Sequence, residues 1–408
     1  NAQNKLMRRI DNGGRTGKEG NYSYVDGRVE SYSYNPDGTL KSKTDRKGQK
    51  TNYTYDIHGR LLQESVGKIT ISYTYDGNGN QLTMTDSTGT TVRTYDELGR
   101  MTSKTVPGIG KITYLYDVIT KDGLVAQMST DPKGNKKTEI FDKTGRLKAV
   151  KNGDVNEKDS AVYEYYPDGS RKSVVYESGL SSEYTYYNNG LLKTLRNKKA
   201  DGSIMDEYSY TYDEAGNQVT KKEYINGKDK GTTIYTYDEL NRLETVTEPS
   251  SRITTYSYDK AGNREVEIIE HNGEKVVNTY EYDDRNRLEK ITTRVNGSVT
   301  ETTSYTYDNN GNQLMVTKNG ERTVANTYDE KNQLVRTNTK GSTVINVYNG
   351  EGLRVEKETK GFLTRYLYEN LNVILETDER GNEKARNLYG LNLLMRDVDS
   401  ESYCYLYN

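Results

Sequence analysis

One short motif, Tyr-x-Tyr-Asp-x-x-Gly, recurs from one end of the sequence to the other. Clear copies are YTYDIHGRL at 53–61, YTYDGNGNQL at 73–82 and YTYDELNRL at 235–243. The second aromatic residue of successive units follows the previous one mostly after 20 to 26 residues, at Tyr55, Tyr75, Tyr95, Tyr116, Phe141, Tyr165, Tyr186, Tyr212, Tyr237, Tyr258, Tyr282, Tyr307, Tyr328, Tyr348, Tyr368, Tyr389 and Tyr407. A period of this size indicates one supersecondary unit stacked many times. The sequence therefore predicts a single repeat array.

Each unit is predicted to be a β-hairpin. Residues i and i+2 of a strand share a face, so Tyr235 and Tyr237 point one way and Thr236 the other. The aspartate suits the first position of a type I turn, where its side chain accepts a hydrogen bond from the backbone two residues on.

The fourth position of the turn then needs a positive φ, as in a three-residue hairpin loop with a bulge. Glycine and asparagine are the residues that tolerate this region, and they occupy the site in ten units. These residues are Gly59, Gly79, Gly99, Gly145, Gly216, Gly262 and Gly311, with Asn241, Asn286 and Asn332.

An apolar residue follows each turn and is predicted to begin the return strand. The residues are Leu61, Leu82, Leu147, Leu243, Leu288, Leu314 and Leu334. Some units read Gly-Asn-Gln-Leu after the turn (GNQL units) and others read Gly-Arg-Leu (GRL units), so the leucine lies one place later in the first kind. A bulge and a change of strand register are two open explanations of this difference. The variable spacing is assigned to the opposite hairpin ends, as at 226–231 and 151–159.

The repeated hairpins predict an all-β fold in which antiparallel hairpins form one long coiled strip. About 18 hairpins give roughly 36 strands, and at about 4.8 Å per strand the strip would be ~170 Å long. A twisted strip of that length exposes one tyrosine face unless it coils. We therefore expect a band or short spiral, with tyrosine rings buried against neighbouring hairpins and hydroxyls facing water.

The composition is consistent with a folded chain and excludes several classes of protein. Only 32% of the residues are hydrophobic and mean hydropathy is −0.99, but 38 tyrosines against 2 phenylalanines and no tryptophan supply large buried rings. A net charge of −2 gives no electrostatic footprint for nucleic acid or an anionic membrane. Cys404, the single cysteine, excludes internal disulfides and cysteine-cluster metal sites. Both ends of the sequence look cut, which favours an excerpt of a longer chain.

No residue set predicts catalysis, a cofactor or a metal. His58 and His271 are far apart in sequence, and His58 occupies a turn position taken by other residues in sister units. The loops at 76–81 and 308–313 lack the glycine and glutamate of a calcium-binding loop. The segment 108–113 is too short for a phosphate loop. We therefore predict that the chain is not an enzyme.

The candidate residues are structural and lie in seven repeats. They are Tyr53, Tyr55, Asp56 and Gly59; Tyr73, Tyr75, Asp76 and Gly79; Tyr210, Tyr212, Asp213 and Gly216; Tyr235, Tyr237, Asp238 and Asn241; Tyr256, Tyr258, Asp259 and Gly262; Tyr280, Tyr282, Asp283 and Asn286; and Tyr305, Tyr307, Asp308 and Gly311.

These units closely resemble the tyrosine–aspartate (YD) repeats of the Rhs family, found in bacterial polymorphic toxins, the shell subunits of insecticidal Tc toxins and teneurins. The resemblance implies a hairpin strip that spirals into a hollow shell around a toxic C-terminal region. On this basis residues 1–362 are assigned to the repeat array, and residues 363–408 to its last repeats and the start of an Rhs-associated core. That core cleaves itself in relatives, but nothing here matches the later motifs, so no catalytic residue is transferred.

The resemblance favours a non-enzymatic, secreted or cell-surface scaffold that encapsulates a toxin domain of the same polypeptide and helps deliver it in bacterial competition. The composition, rich in lysine and asparagine, favours a Gram-positive source. Two alternatives stay open: a module in which the repeats bind cell-wall glycan or a surface receptor, and a passive surface stalk.

Overall fold

The structure, a computed structural model, describes residues 5–11, 13–18, 21–399 and 401–407, and these residues form strands and turns without any helix. The first nineteen strands are β1 Arg8–Ile10, β2 Arg15–Lys18, β3 Asn21–Tyr24, β4 Val29–Tyr34, β5 Leu40–Thr44, β6 Lys50–Tyr55, β7 Leu61–Val66, β8 Ile69–Tyr75, β9 Gln81–Asp86, β10 Gly89–Tyr95, β11 Met101–Val106, β12 Gly110–Ile119, β13 Val125–Thr130, β14 Lys136–Phe141, β15 Leu147–Lys151, β16 Asp159–Tyr165, β17 Arg171–Tyr176, β18 Ser181–Tyr186 and β19 Leu192–Lys198.

The remaining strands continue the same alternation of strand and short turn. They are β20 Ile204–Tyr212, β21 Gln218–Ile225, β22 Lys228–Tyr237, β23 Leu243–Thr247, β24 Ile253–Tyr258, β25 Arg264–His271, β26 Glu274–Tyr282, β27 Leu288–Val295, β28 Ser298–Tyr307, β29 Gln313–Lys318, β30 Glu321–Tyr328, β31 Leu334–Thr339, β32 Ser342–Tyr348, β33 Arg354–Thr359, β34 Phe362–Glu369, β35 Asn372–Thr377, β36 Glu383–Tyr389, β37 Leu393–Val398 and β38 Glu401–Cys404.

Thirty-six of these strands form one antiparallel sheet, and β2 and β3 form a separate hairpin. β1 pairs with β4, and from β4 onward strands that are neighbours in sequence pair with each other, as β6 does with β7 and β7 with β8. The predicted all-β array of antiparallel hairpins in a coiled strip is thus confirmed.

A bulge precedes the end of the first strand in GRL and GNQL hairpins alike. Thr54 lies opposite Gln63 and Tyr55 opposite Leu61, so Leu62 is the extra residue. In the next hairpin Tyr75 lies opposite Gln81, which places Leu82 at the bulge. The two classes therefore share one register, and the later leucine of a GNQL unit is the bulged residue itself.

The variable spacing falls where the sequence placed it. Residues 226 and 227 connect β21 to β22, and residues 152–158 connect β15 to β16. Both connections lie at hairpin ends opposite the aspartate turns.

The chain divides into two compact units. Unit 1 comprises Asn1–Ile112, Glu281–Ile291 and Glu301–Glu383, and unit 2 comprises Thr113–Tyr280, Thr292–Thr300 and Lys384–Asn408. Each unit therefore combines segments that are distant in sequence. The boundaries predicted at 362 and 363 for an Rhs-associated core stay a prediction.

Within unit 1, the distant segments meet through polar contacts. The Gly350 N–H donates to Asp86 Oδ2 at 2.5 Å, Glu351 pairs with Arg93 and with Lys104, and Lys331 pairs with Glu64 at 3.0 Å. These partners lie 247 to 267 residues apart. The strip thus returns to its own earlier strands.

Glycine is required at position 350 because the strands approach closely there. A Cβ at this position would lie 2.7 Å from Ile71 Cγ2 and 2.9 Å from Met84 Sδ. Ile71 and Met84 are each 1% exposed, so neither can move aside into solvent.

Within unit 2, the distant segments meet through a hydrophobic core. Leu388 and Leu394 pack into a buried cluster that includes Tyr163, Val174 and Tyr184. Tyr176 donates its hydroxyl proton to the Tyr405 carbonyl at 3.0 Å, across 229 residues. Unit 1 also has a buried apolar contact of this kind, in which Val106 packs with Leu367 and Leu375. The return of the strip is therefore held by ion pairs and apolar burial in unit 1 and by a larger apolar cluster in unit 2.

Candidate functional site

The aspartate of the motif organises the hairpin turn through one carboxylate oxygen. In the first clear unit, Asp56 Oδ1 accepts the N–H groups of His58 and Arg60, each at 2.9 Å. The Gly59 N–H donates to the Asp56 carbonyl at 3.0 Å, and Gly59 has φ of 77°. The same pair of Oδ1 contacts is made by Asp76, Asp96, Asp142, Asp238, Asp259, Asp283, Asp308, Asp329 and Asp378.

The second carboxylate oxygen binds the side chain four residues later. That side chain is arginine in one class of repeat and asparagine in the other, and both present a donor at the same place. Arg242 Nε lies 2.7 Å from Asp238 Oδ2, and Asn263 Nδ2 lies 2.8 Å from Asp259 Oδ2. The Arg-Leu and Asn-Gln-Leu sequences that follow the turn therefore stabilise the same turn conformation with different side-chain donors.

These contacts favour the ionised carboxylate. The Arg242 N–H, then the Arg242 guanidinium and the Leu240 N–H, hold the pKa of Asp238 below its usual value against the opposing effect of desolvation. In the asparagine class, the amide of Asn263 is the largest cause that lowers the pKa of Asp259.

Asn241 shows that the fourth turn position selects backbone conformation. Its φ is 58°, and Asn286 and Asn332 at the equivalent position have φ of 59° and 63°. The glycines predicted for this position all have positive φ as well. The turn geometry inferred from the sequence is the observed one.

In most units the second tyrosine connects its hairpin to the preceding one through a hydrogen bond. The Tyr258 hydroxyl donates to the Leu243 carbonyl at 2.7 Å, and the Arg242 guanidinium lies 4.5 Å from the centre of the Tyr258 ring. A continuous path of contacts, which we call the tyrosine latch, thus leads from Asp238 through Arg242 to Tyr258 and Leu243.

The hydroxyl contact of the latch recurs along the chain. It is made by Tyr75 to Leu61, Tyr95 to Gln81, Tyr165 to Leu147, Tyr186 to Arg171, Tyr212 to Leu192, Tyr237 to Gln218, Tyr307 to Leu288, Tyr328 to Gln313, Tyr348 to Leu334, Tyr368 to Arg354 and Tyr407 to Leu393. The expectation that these hydroxyls face water was wrong. The bulge leaves a carbonyl within reach, and the hydroxyl donates to it.

The first tyrosine of a unit contributes buried surface. Desolvation is the main cause that raises the pKa of Tyr73 to about 12, and burial likewise raises the pKa of Tyr163 to about 12. The pKa of Tyr53 rises for the same reason. These phenols stay neutral in the folded chain across the physiological range.

The candidate residues form a row along the strip and not one cluster. In all seven units the second tyrosine ends its strand, in β6, β8, β20, β22, β24, β26 and β28, and the aspartate and glycine or asparagine lie in the turn that follows. The latch brings together residues of consecutive units. The latch could not be predicted from residue types, because the accepting group is a backbone carbonyl.

Two family models match the sequence: Teneurin YD-shell over residues 26–152 and RHS Repeat over residues 237–275. Rhs/YD repeats are thus matched in these two segments of the chain.

Solved structures show the same fold at low sequence identity. The crystal structure of TcdB2-TccC3-TEV matches 90% of this chain with a TM-score of 0.56 at 15% identity. That of TcdB2-TccC3 also matches 90%, with a TM-score of 0.52 at 16% identity. This chain spans about a quarter of the length of those chains, since the match covers 24% of each. No curated protein matches the sequence.

Two adjacent YD repeats replace the turn aspartate with a second consecutive tyrosine. They read YYPDG at 165–169 and YYNNG at 186–190. Tyr187 donates its hydroxyl proton to the Tyr210 carbonyl at 3.0 Å, and its ring meets Tyr212 edge to face with centroids 6.2 Å apart. This variant of the turn was not predicted, although the two consecutive tyrosines are a visible signal of it in the sequence.

The residues weighed for other chemistry lie in ordinary YD-repeat positions. His58 is exposed in its turn, and His271 ends β25 beside Asn272. The segments 76–81 and 308–313 are hairpin turns of the kind described above. Among the described residues no group of three or more His, Cys, Asp or Glu side chains is placed to hold a metal ion.

Cys404 is a free, exposed thiol in β38. The described part of the chain contains no helix long and apolar enough to cross a bilayer.

Proposed function

We propose that this chain is a wall segment of an Rhs/YD-repeat shell that encloses a toxin domain of the same polypeptide. In this role the wall keeps the cargo away from proteases and from the producing cell. It contributes packing and hydrogen bonding and has no catalytic part.

The observation that carries the proposal is the return of the strip to its own earlier strands in each unit. A passive stalk would place residues more than 200 positions apart far from one another. Here Gly350 meets Asp86 within unit 1, and Tyr176 meets Tyr405 within unit 2. Contacts of this kind seal neighbouring passes of a coiled wall.

The tyrosine latch supports the same role. It joins consecutive hairpins through bonds from tyrosine hydroxyls to backbone carbonyls, so the sheet does not rely on the ladder of backbone-to-backbone hydrogen bonds alone. A surface of half-buried tyrosines is neither strongly charged nor strongly apolar, and such a surface suits a wall that faces an unfolded or partly folded chain without binding it tightly.

We also propose that the protein is secreted, that it acts in bacterial competition and that it comes from a Gram-positive bacterium. These proposals rest on the repeat type and on the composition. The solved TcdB2-TccC3 chains are about four times as long as this one, since it covers 24% of them, so cargo and delivery stay proposals for this chain.

A protease-protection experiment on the full natural polypeptide tests containment. Gly350→Leu forces side-chain atoms into Ile71 and Met84 and is expected to open the contact within unit 1. Gly341→Leu is the matched control because nothing lies within 4 Å of its Cβ position and its φ is not positive. We expect the C-terminal region to resist protease in the native and Gly341→Leu forms and to be cut at least ten-fold faster in Gly350→Leu.

Circular dichroism checks that both variants keep their β structure. Equal cleavage of the C-terminal region in all three proteins would contradict containment. A rod-like profile in small-angle scattering would contradict it independently and would support a passive stalk.

A further inference from the structure

The turn at Tyr187 borders an open cavity that has no part in the proposed containment of a toxin domain. The cavity lies within unit 2, between the β18–β19 turn and the end of β20, and measures about 510 Å³. Its walls include Tyr186, Tyr187 and Tyr212, with Asn188, Lys193 and Asp213. Ligand pockets fall in the range of about 300–1,000 Å³. We propose that this cavity is a binding site for an uncharged saccharide.

The aromatic walls are held in place by the fold. The Tyr187 hydroxyl is fixed on the Tyr210 carbonyl at 3.0 Å, and the Tyr212 hydroxyl on the Leu192 carbonyl at 2.9 Å. Each ring is therefore anchored at its polar end and cannot swing freely. Fixed aromatic surfaces bind the C–H faces of sugar rings without a further loss of side-chain entropy.

An uncharged polar side chain, Asn188, lies beside these rings. Asn188 is exposed, and its side chain makes no hydrogen bond within the described part of the chain. An amide of this kind can both donate to and accept from sugar hydroxyls. It is the residue best placed to orient a ligand.

The charges at the cavity balance. Lys193 Nζ lies 5.5 Å from the centre of the Tyr187 ring, and Asp213 lies on the facing turn, where it accepts the Asn217 amide at 3.0 Å. A cation and an anion at the same opening favour a ligand without net charge. A ligand that offers hydroxyls and apolar C–H faces fits all of these groups, which is the chemistry of a neutral saccharide.

The neighbouring repeat supplies a matched comparison. Tyr166 corresponds to Tyr187, and it meets Tyr186 edge to face, again with centroids 6.2 Å apart. There Pro167 stands in place of Asn188, and Lys172 is paired with Glu164 at 3.1 Å. The aromatic pair is repeated, but the free polar groups are not.

The substitution Tyr187→Asp separates binding from folding. It creates the turn Asp-Asn-Asn-Gly, which the chain already uses at 308–311, where Asp308 accepts the backbone N–H groups of Asn310 and Asn312. The turn is thus expected to fold while one aromatic wall of the cavity is lost. Tyr166→Asp is the control, and Asp-Pro-Lys-Gly at 131–134 shows that aspartate is also accepted before proline in this turn.

Isothermal titration of the full chain with triacetylchitotriose and with maltotriose tests the site. We expect saturable binding of at least one trisaccharide, at least ten-fold weaker binding in Tyr187→Asp, and unchanged binding in Tyr166→Asp. Asn188→Ala is expected to weaken binding at least three-fold without a change in thermal midpoint.

Absence of saturable heat with both trisaccharides would overturn the inference, as would equal losses in Tyr187→Asp and Tyr166→Asp. The site does not depend on containment, so its failure leaves the proposed shell role intact.

Discussion

The second tyrosine of a YD repeat serves two neighbouring hairpins at once. In the repeat ending at Tyr258, the ring lies beneath Arg242 of the previous turn and the hydroxyl reaches the Leu243 carbonyl. Phenylalanine would keep the first contact and lose the second. This need for a donor at the end of a large ring explains why tyrosine and not phenylalanine takes the second position in these units.

Tyr258→Phe isolates the hydroxyl contact. We expect a loss of about 0.5–1.5 kcal/mol in the free energy of unfolding, because a carbonyl is left without its donor in a partly buried place. Urea-induced unfolding followed by circular dichroism measures it. Tyr256→Phe is the control, since no hydrogen bond of the Tyr256 hydroxyl is found among the described residues, and it is expected to change stability by less than about 0.5 kcal/mol. Equal effects of the two substitutions would argue against the latch.

At the scale of one element, the hairpin turn is a self-contained unit. Its aspartate satisfies two backbone donors, its fourth residue takes a positive φ, and its fifth supplies a donor to the aspartate. All of these contacts are local in sequence, so the repeat could be assigned to a turn type from residue identities. The bulge at residues such as Leu62 and Leu82 could not, because its position depends on pairing across the hairpin.

The fourth turn position gives a test of the backbone requirement. Gly216 has φ of 88° and nothing within 4 Å of its Cβ position, so a substitution meets strain without steric conflict. We expect Gly216→Ala to cost about 1–2 kcal/mol, since an ordinary L-residue disfavours this region. Gly216→Asn is expected to cost less, because asparagine already takes this position at residue 241.

Hydrogen exchange locates this effect in the chain. The N–H of residue 216 donates to the Asp213 carbonyl at 3.1 Å in the native turn, and we expect its protection to fall more in the alanine variant than in the asparagine variant. The reverse order would show that the backbone conformation at this position does not limit the turn.

At the scale of the whole molecule, each unit is closed by contacts between segments that are distant in sequence. Unit 1 brings Arg93 and Lys104 to Glu351, and the nearby lysine and arginine are the main reason that the pKa of Glu351 is lowered against the effect of burial. Unit 1 also buries Leu367 and Leu375, and unit 2 buries a larger cluster that includes Tyr163 and Leu388. Buried phenols are present in both units.

These phenols set an alkaline limit to stability. Burial raises the pKa of Tyr73 and Tyr163 from the ordinary value of 10.0 to about 12, so the folded state favours the neutral form. Their contribution to stability is fully present below pH 10 and is lost as the pH rises from about 10 to about 12, because the unfolded chain ionises first.

Thermal unfolding between pH 8 and pH 12, with absorbance at 295 nm to count tyrosinate, measures this limit. We expect a constant thermal midpoint up to about pH 10 and a steep fall above it. Native-state ionisation of all tyrosines by pH 10.5 without unfolding would contradict the assignment of buried phenols.

The sequence by itself determined the hairpin, its turn and the approximate number of strands, because each depends on residues that are close in the chain. Asp238, Asn241 and the alternation of Tyr235 and Tyr237 are sufficient for that purpose. Only the tertiary structure decided which carbonyl each tyrosine hydroxyl reaches, and that a glycine is needed at position 350 for close approach. It also decided that Tyr187 borders a cavity. Each of these features depends on atoms that strand pairing and coiling of the strip bring together. The pattern of residue types along the chain does not specify the distances between such atoms.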